Sequence, residues 1–450
     1  MTMATDLEKA FKALNDKREG YSRFFAYYDG DQPVQYTAKR LEEIFKGLDA
    51  VFTENWCAVV IDSVKDRINL TGIETPEIAS ETWARLWETS EIKLESDEAH
   101  EAALVTGEAF IVAWPDENGI VQAFYNDPRL CHVFYEEGNP RVKRMAAKWY
   151  VDADDNTRMT LYYPDRLEYY RATSKTPSSA NAFTADQESE INPYGEVPVF
   201  HLRLAKRTTK SDLKSVIPVQ NGINKLLADM MVAAEYGAFK QRYIISNADN
   251  LGKLKNAPNE NWLLPAGDGM GQQTQVGQLD ATALKNYLDG IDNLSMGISS
   301  ITRTPKHYFF SIGSNLSGEA LIAMEAPLNK KAQDRIDRFA PVWKDICRFM
   351  LKVSGVEVDP QAIRPVFDTP ETIQPFTEAQ TMQMYVSLGA PIRTAARWVG
   401  RTEAEIAQME LDIREAEASQ QASLAQGLLE AQRRFDSGDQ RIGQRISGAD

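Results

Sequence analysis

Apolar residues in the first third of the chain recur at helical spacing. Leu41, Ile44, Phe45, Leu48, Val51 and Phe52 fall on one face, and Trp56, Val59, Val60 and Val64 continue the pattern. A second helical stretch is predicted over 76–106. Within it Ser96 precedes Asp97, Glu98 and a helix-forming run, the form of a capped start, so two helices dividing there are expected. The texture then changes to short apolar runs. Residues 109–114 and 120–125 flank Pro115-Asp116-Glu117-Asn118-Gly119 and predict a β-hairpin. Further strands are expected at 131–135, 141–151, 159–163, 166–171 and 197–202, and the polar, Ser/Ala-rich stretch 173–190 reads as a loop.

Beyond Arg203 the spacing is helical again. Helices are predicted over 219–239 and 281–301. They enclose a mixed segment with strand-like 242–246 and 262–265 and turns at Gly267, Gly269, Gly271 and Gly277. A loop over 303–316 carries Arg303, Lys306 and His307, then Tyr308-Phe309-Phe310. A long helix follows over 317–354. Its stripe is Leu321, Met324, Leu328, Ala332, Ile336, Phe339, Trp343, Ile346 and Met350, with gaps alternating between three and four. Its length would be roughly 55 Å. Pro327 lacks the N–H of a helix interior and crowds the preceding turn, which predicts a kink; Pro341 leaves the continuity of the helix open. Residues 377–431 are helical in pattern with a break over 385–391, and the polar stretch 436–450 is expected to be disordered.

With 450 residues the chain exceeds one ordinary core, and two to four domains are expected. A 43% hydrophobic and 26% charged composition reads as a folded, soluble chain. No run of about 18 apolar residues predicts a membrane span, and residues 1–17 mix Asp, Glu and Lys where a signal peptide needs an apolar core. Cys57, Cys131 and Cys347 are far apart and form no CxxC pair, so they are expected to fill apolar gaps. The net charge of −15 argues against tight, general binding of nucleic acid, which normally needs a basic surface.

No catalytic constellation emerges. His100-Glu101 starts like HExxH, but Leu104 stands where the second histidine belongs. Neither GxxxxGK[ST] nor GxSxG occurs. No enzyme, metal or cofactor is expected. The basic run Arg203, Lys206, Arg207, Lys210 and Lys214 is either a solvated loop or a contact for a charged partner or DNA. Tyr308-Phe309-Phe310 reads as packing or, second, as a stacking surface.

The order of segments from 210 to 354 resembles the portal, or head-to-tail connector, proteins of tailed bacteriophages. The matching stretches are Lys210-Ser211-Asp212-Leu213, the run from Pro218 to Leu227, and Asp229 to Tyr236. Ile298 to Pro305, Leu316 to Leu321 and Glu325-Ala326-Pro327-Leu328 follow in order. Tyr27-Tyr28-Asp29-Gly30, Asn55-Trp56-Cys57 and Asn192 to Pro198 are similar to the family as well. Each motif alone is weak; their order and spacing are specific, and the resemblance covers residues 20 to 400.

The resemblance implies an α+β portal fold, mostly helical with an antiparallel β region, assembling as a dodecameric ring around a channel. It implies a wing over 1–210, stem helices over 211–239 and 279–301, and a clip over 240–278. A tunnel loop over 302–316, a kinked wing helix and its return over 317–375 and a helical crown over 376–435 complete it. DNA-facing positions would then be Arg303, Lys306, His307, Tyr308, Phe309 and Phe310. The implied partners are further copies of the chain, the large terminase subunit, head-completion or adaptor proteins, and capsid and scaffolding proteins. Double-stranded DNA would pass with transient contact, and no membrane is involved. The expected location is the portal vertex of the virion, after assembly in the host cytoplasm. Two readings stay open beside it: another ring adaptor of a virion, which should lack the stem–clip–stem order, and a cytosolic enzyme with a helical lid.

Overall fold

Thr5 opens the first helix with a reciprocal cap: its hydroxyl accepts from the Glu8 N–H at 3.2 Å, and its own N–H donates to Glu8 Oε2 at 2.7 Å. This helix, α1 (Asp6–Asp29), ends at Gly30 in the left-handed region. The computed structural model describes residues 5–33, 53–205, 209–238, 242–245, 275–279, 283–309, 318–370, 375–398, 406–416 and 418–419. The helix predicted over 41–52, the strand at 262–265 and the tail 436–450 lie outside them.

Two compact units divide the chain, residues 1–371 and 372–450. The first begins, after α1, with α2 (Trp56–Lys65), β1 (Leu70–Glu74), α3 (Glu77–Thr89) and α4 (Ile92–Thr106). The division between α3 and α4 falls at Ser90–Glu91, where Glu91 takes φ 46°. The expected start at Ser96 is thus corrected. Ser96 is fully buried inside α4 and turns its hydroxyl back to Lys93 O at 2.8 Å, a bond that a helix interior permits.

Two antiparallel sheets follow. One is ordered β10 (Val199–Arg203), β2 (Glu108–Pro115), β3 (Val121–Asn126). The other runs β4 (Cys131–Glu136), β5 (Asn139–Val151), β6 (Thr157–Tyr162), β7 (Arg166–Ala172) and β8 (Thr184–Ala185), with β9 (Glu190–Ile191) also on β7. The stretch read as a loop thus contributes two short edge strands.

Side-chain alternation layers these sheets. Ala109, Ile111 and Ala113 of β2 face the helical core; Phe110 and Val112 face the second sheet. That sheet answers with Val133, Ala146 and Tyr162, and turns Met145, Ala147 and Trp149 the other way onto Ala10 and Leu14 of α1. Burial on both faces explains why β2 reads as an unbroken apolar run.

A buried ionic cluster ties α1 to both sheets. Lys17 Nζ lies 3.1 Å from Glu108 Oε1, and the Tyr21 hydroxyl donates to the same oxygen at 2.9 Å. His201 Nε2–H donates to Glu108 Oε2 at 2.9 Å, leaving Nδ1 to accept from the Tyr135 hydroxyl at 3.1 Å. Burial alone would push the Glu108 carboxyl up; the His201 hydrogen bond and the Lys17 charge outweigh it and hold the group below its usual range.

The remaining elements of this unit are α5 (Ile217–Ala238), β11 (Arg242–Ile245), β12 (Gln275–Gln278), α6 (Lys285–Thr302), α7 (Gly318–Val353) and β13 (Arg364–Phe367). Gly277 is a strand residue and not the turn expected there, and β13 closes a two-stranded sheet on β1. The 36-residue α7 is continuous through Pro327 and Pro341, both on exposed positions. Leu328, Ala332, Ile336, Phe339, Trp343, Ile346 and Met350 are buried against α2, α3, β3 and β10. Leu321 is exposed and Met324 half-buried, so the buried stripe starts at Leu328. In the second unit, α8 (Pro375–Ser387) and α9 (Ile392–Trp398) meet through Tyr385 and Trp398, with ring centroids 5.2 Å apart. A further helical run covers 406–416.

Candidate functional site

Helices α5 and α6 lie antiparallel and close. A Cβ at Gly222 would come 3.2 Å from Leu294, and one at Gly290 would come 3.2 Å from Leu226, so each glycine admits a leucine of the other helix. Beyond this pair, β11 and β12 join in antiparallel register from Arg242–Gln278 to Ile245–Gln275. Two helices therefore lead out to a paired strand segment and back.

The base of α5 is fixed by buried amides. Gln220 donates to Glu54 O at 2.6 Å and to Asn224 Oδ1 at 2.9 Å, while its Oε1 accepts from the Trp56 N–H at 3.1 Å. Asn224 donates to Gln32 Oε1 at 2.6 Å, and Gln32 donates to Asn55 Oδ1 at 3.1 Å. Asn55 donates to Tyr28 O, and the Tyr27 hydroxyl donates to Asn221 Oδ1, each at 2.6 Å. Three motif stretches that are distant in sequence thus share one network, whose buried members must stay mutually paired. Gln32 is the member that motif reading misses; its signal is a lone amide just past a helix C-cap.

At the far end of α6, Ser299 donates to Thr304 O at 2.7 Å, and Thr302 donates to Ile298 O at 2.8 Å. Arg303 then takes φ 62° and turns the chain into a 3-10 turn, Lys306–Tyr308. Phe309 is buried, edge-on to Trp56 with centroids 5.3 Å apart. The Tyr308 hydroxyl accepts from Arg67 Nη2 at 2.8 Å. His307 Nε2 meets Glu325 Oε1 at 2.8 Å, and Arg67 Nη2 meets the other Glu325 oxygen at 2.5 Å. Arg303 and Lys306 are exposed, and Phe310 lies outside the described residues.

Of the basic run, Arg203, Lys210 and Lys214 are among the described residues. Arg203 packs its guanidinium over the Tyr135 ring at 4.5 Å, and Lys210 and Lys214 are exposed. Lys206 and Arg207 lie outside the described residues. Lys210 is instead brought beside Arg303, at the rim of a cavity under the α6 terminus.

A protein-family model described as phage portal protein, SPP1 Gp6-like, matches residues 8–419. The chain belongs to the phage portal protein family. No curated protein matches it. As a portal protein it is a structural, non-enzymatic component of the virion. It works as a ring of identical subunits that forms a channel for DNA and meets capsid and packaging proteins. No helix among the described residues is long and apolar enough to cross a membrane. The convergence of Tyr27, Asn55, Gln220 and Asn224 at the base of α5 gives the portal motifs a physical reason: they hold the helix pair on the body of the subunit.

Proposed function

We propose that α5 and α6 are the stem of a dodecameric portal ring at one capsid vertex, that residues 240–278 form its clip, and that 302–316 form its tunnel loop. Residues 1–210 are then the wing, 317–375 the wing helix and its return, and 376–435 the crown. The observation that carries this reading is the antiparallel α5–α6 pair leading to and from the β11–β12 strands, held at its base by the amide network. The clip receives the large terminase subunit during packaging and head-completion or adaptor proteins afterwards. The wing meets the capsid and scaffolding proteins.

The mechanism is passive guidance. A net charge of −15 suits a channel that should not hold DNA, since a basic channel would bind it charge by charge. Closure of the ring needs two different complementary faces on each subunit. Negative-stain microscopy of the purified protein is expected to show rings with a central hole. A monomer or small dimer at every concentration would count against self-assembly of the ring. A chain lacking residues 240–278 is expected to remain soluble and to package no DNA; normal packaging by it would remove the clip assignment.

A further inference from the structure

A cavity of about 500 Å³ lies where the turn before α5, the C-terminal end of α6 and the middle of α7 meet. Five of its lining side chains are cationic, Lys210, Arg303, Lys330, Lys331 and Arg335, against two carboxylates, Asp212 and Asp334. In a chain as acidic as this one, that local balance is inverted.

Both carboxylates are already neutralised from within. Asp212 meets Lys331 at 3.2 Å and Arg335 at 2.9 Å. Asp334 meets Arg335 at 2.8 Å and Arg338 at 2.9 Å. Lys210, Arg303 and Lys330 form no ion pair with any described residue. Arg335 Nε and Asp212 Oδ2 are both buried without a hydrogen-bond partner. Burial lowers the Lys331 ammonium; Asp212 opposes the shift, and the neighbouring Arg335 and Arg303 charges add to it, as an excess of positive charge requires.

We propose that this cavity is a phosphate-type oxyanion site, with the Lys210, Arg303 and Lys330 side chains as its donors. A carboxylate would leave two of the three unpaired cations uncompensated, whereas a phosphate group carries about −1.5 to −2 near neutral pH and several acceptor oxygens. Guanidinium and ammonium donors converging from three elements suit an acceptor with oxygens on all sides. The site lies within one subunit and does not depend on the assignment of stem or tunnel loop.

The phosphate could arrive free or on the DNA backbone, and calorimetric titration distinguishes them. One arm titrates the full-length protein with inorganic phosphate against sodium chloride of equal ionic strength; the other uses a short DNA duplex. The variant is Lys210→Gln/Arg303→Gln/Lys330→Gln, all at exposed positions. A control of equal charge change, Lys9→Gln/Lys12→Gln/Lys175→Gln, lies away from the cavity. Phosphate affinity is expected to fall about tenfold or more in the variant and to stay unchanged in the control. The same pattern with the duplex alone would assign the site to backbone phosphate. Binding of neither ligand, or equal loss in variant and control, overturns the proposal. Loss of ring assembly in the variant without phosphate binding would give the cavity to a neighbouring subunit, and overturns it as well.

Discussion

Trp343 and His100 form a buried side-chain junction between α7 and α4. Trp343 is fully buried and its indole N–H donates to His100 Nε2 at 2.9 Å. The His100 ring stacks on Phe339 with centroids 4.9 Å apart. Trp343→Ala removes a large aromatic and strands that acceptor, so a loss of about 3–5 kcal/mol is expected in chemical denaturation; an unchanged midpoint would refute the packing. The imidazole must stay neutral to accept, and burial lowers its pKa to about 3. Between that value and the ordinary value of about 6.5 the unfolded chain binds the proton and the folded chain does not. His100 therefore contributes stability that is fully present above pH 6.5 and is lost as pH falls towards 3. His132, lowered to about 4 by burial and the Lys17 charge, adds in the same direction. Melting temperature should drop on acidification through this window, and His100→Gln should flatten that slope. A slope identical to wild type would exclude His100 as a source.

The α5–α6 pair concentrates its close approach at two glycines. Gly222→Val/Gly290→Val introduces branched side chains where a Cβ already sits 3.2 Å from leucine, and overpacking of this kind costs about 1–3 kcal/mol. Urea denaturation should show the loss, while either single alanine variant gains helix propensity against a smaller clash and stays closer to wild type. An unaltered double variant would mean that the helices are not in contact. Helix and strand texture is legible in the sequence wherever apolar spacing is dense, as in α5, α6, α7 and β2. It fails for α1, whose buried positions Ala10, Leu14, Tyr21 and Tyr27 are spread among charges. Only the Thr5–Glu8 box betrays it. It also fails for β13, a four-residue strand whose partner β1 lies almost 300 residues earlier, a pairing that no local pattern encodes. The candidate site is legible as motifs, because its amides stand out on apolar helices. Their convergence is not, since hydrogen bonds between Gln32 and Asn224 depend on tertiary packing.

At the scale of the ring, the proposed tunnel loop makes the turn after α6 the element to test for contact with DNA. Its base is tied into the subunit: Phe309 is seated on Trp56, Tyr308 is held by Arg67, and His307 by Glu325. Of the aromatics first considered to face DNA, Phe309 and Tyr308 are therefore occupied within the subunit. His307→Glu would set a carboxylate against Glu325 and disturb folding, so it cannot report on DNA. Lys306 is exposed and forms no ion pair among the described residues, which makes its charge free to act outward. Lys306→Glu should leave stability within about 0.5 kcal/mol of wild type, as surface substitutions do. Rings of normal diameter are expected in micrographs. If the turn faces the channel as proposed, the reversal repeats once per subunit, and a collar of weak attraction becomes one of repulsion. Filled heads should then form more slowly or lose DNA faster in a packaging assay, with the difference shrinking at high salt as screening removes both attraction and repulsion. Normal filling and normal retention by intact Lys306→Glu rings would mean that the turn only joins α6 to α7 and does not face DNA.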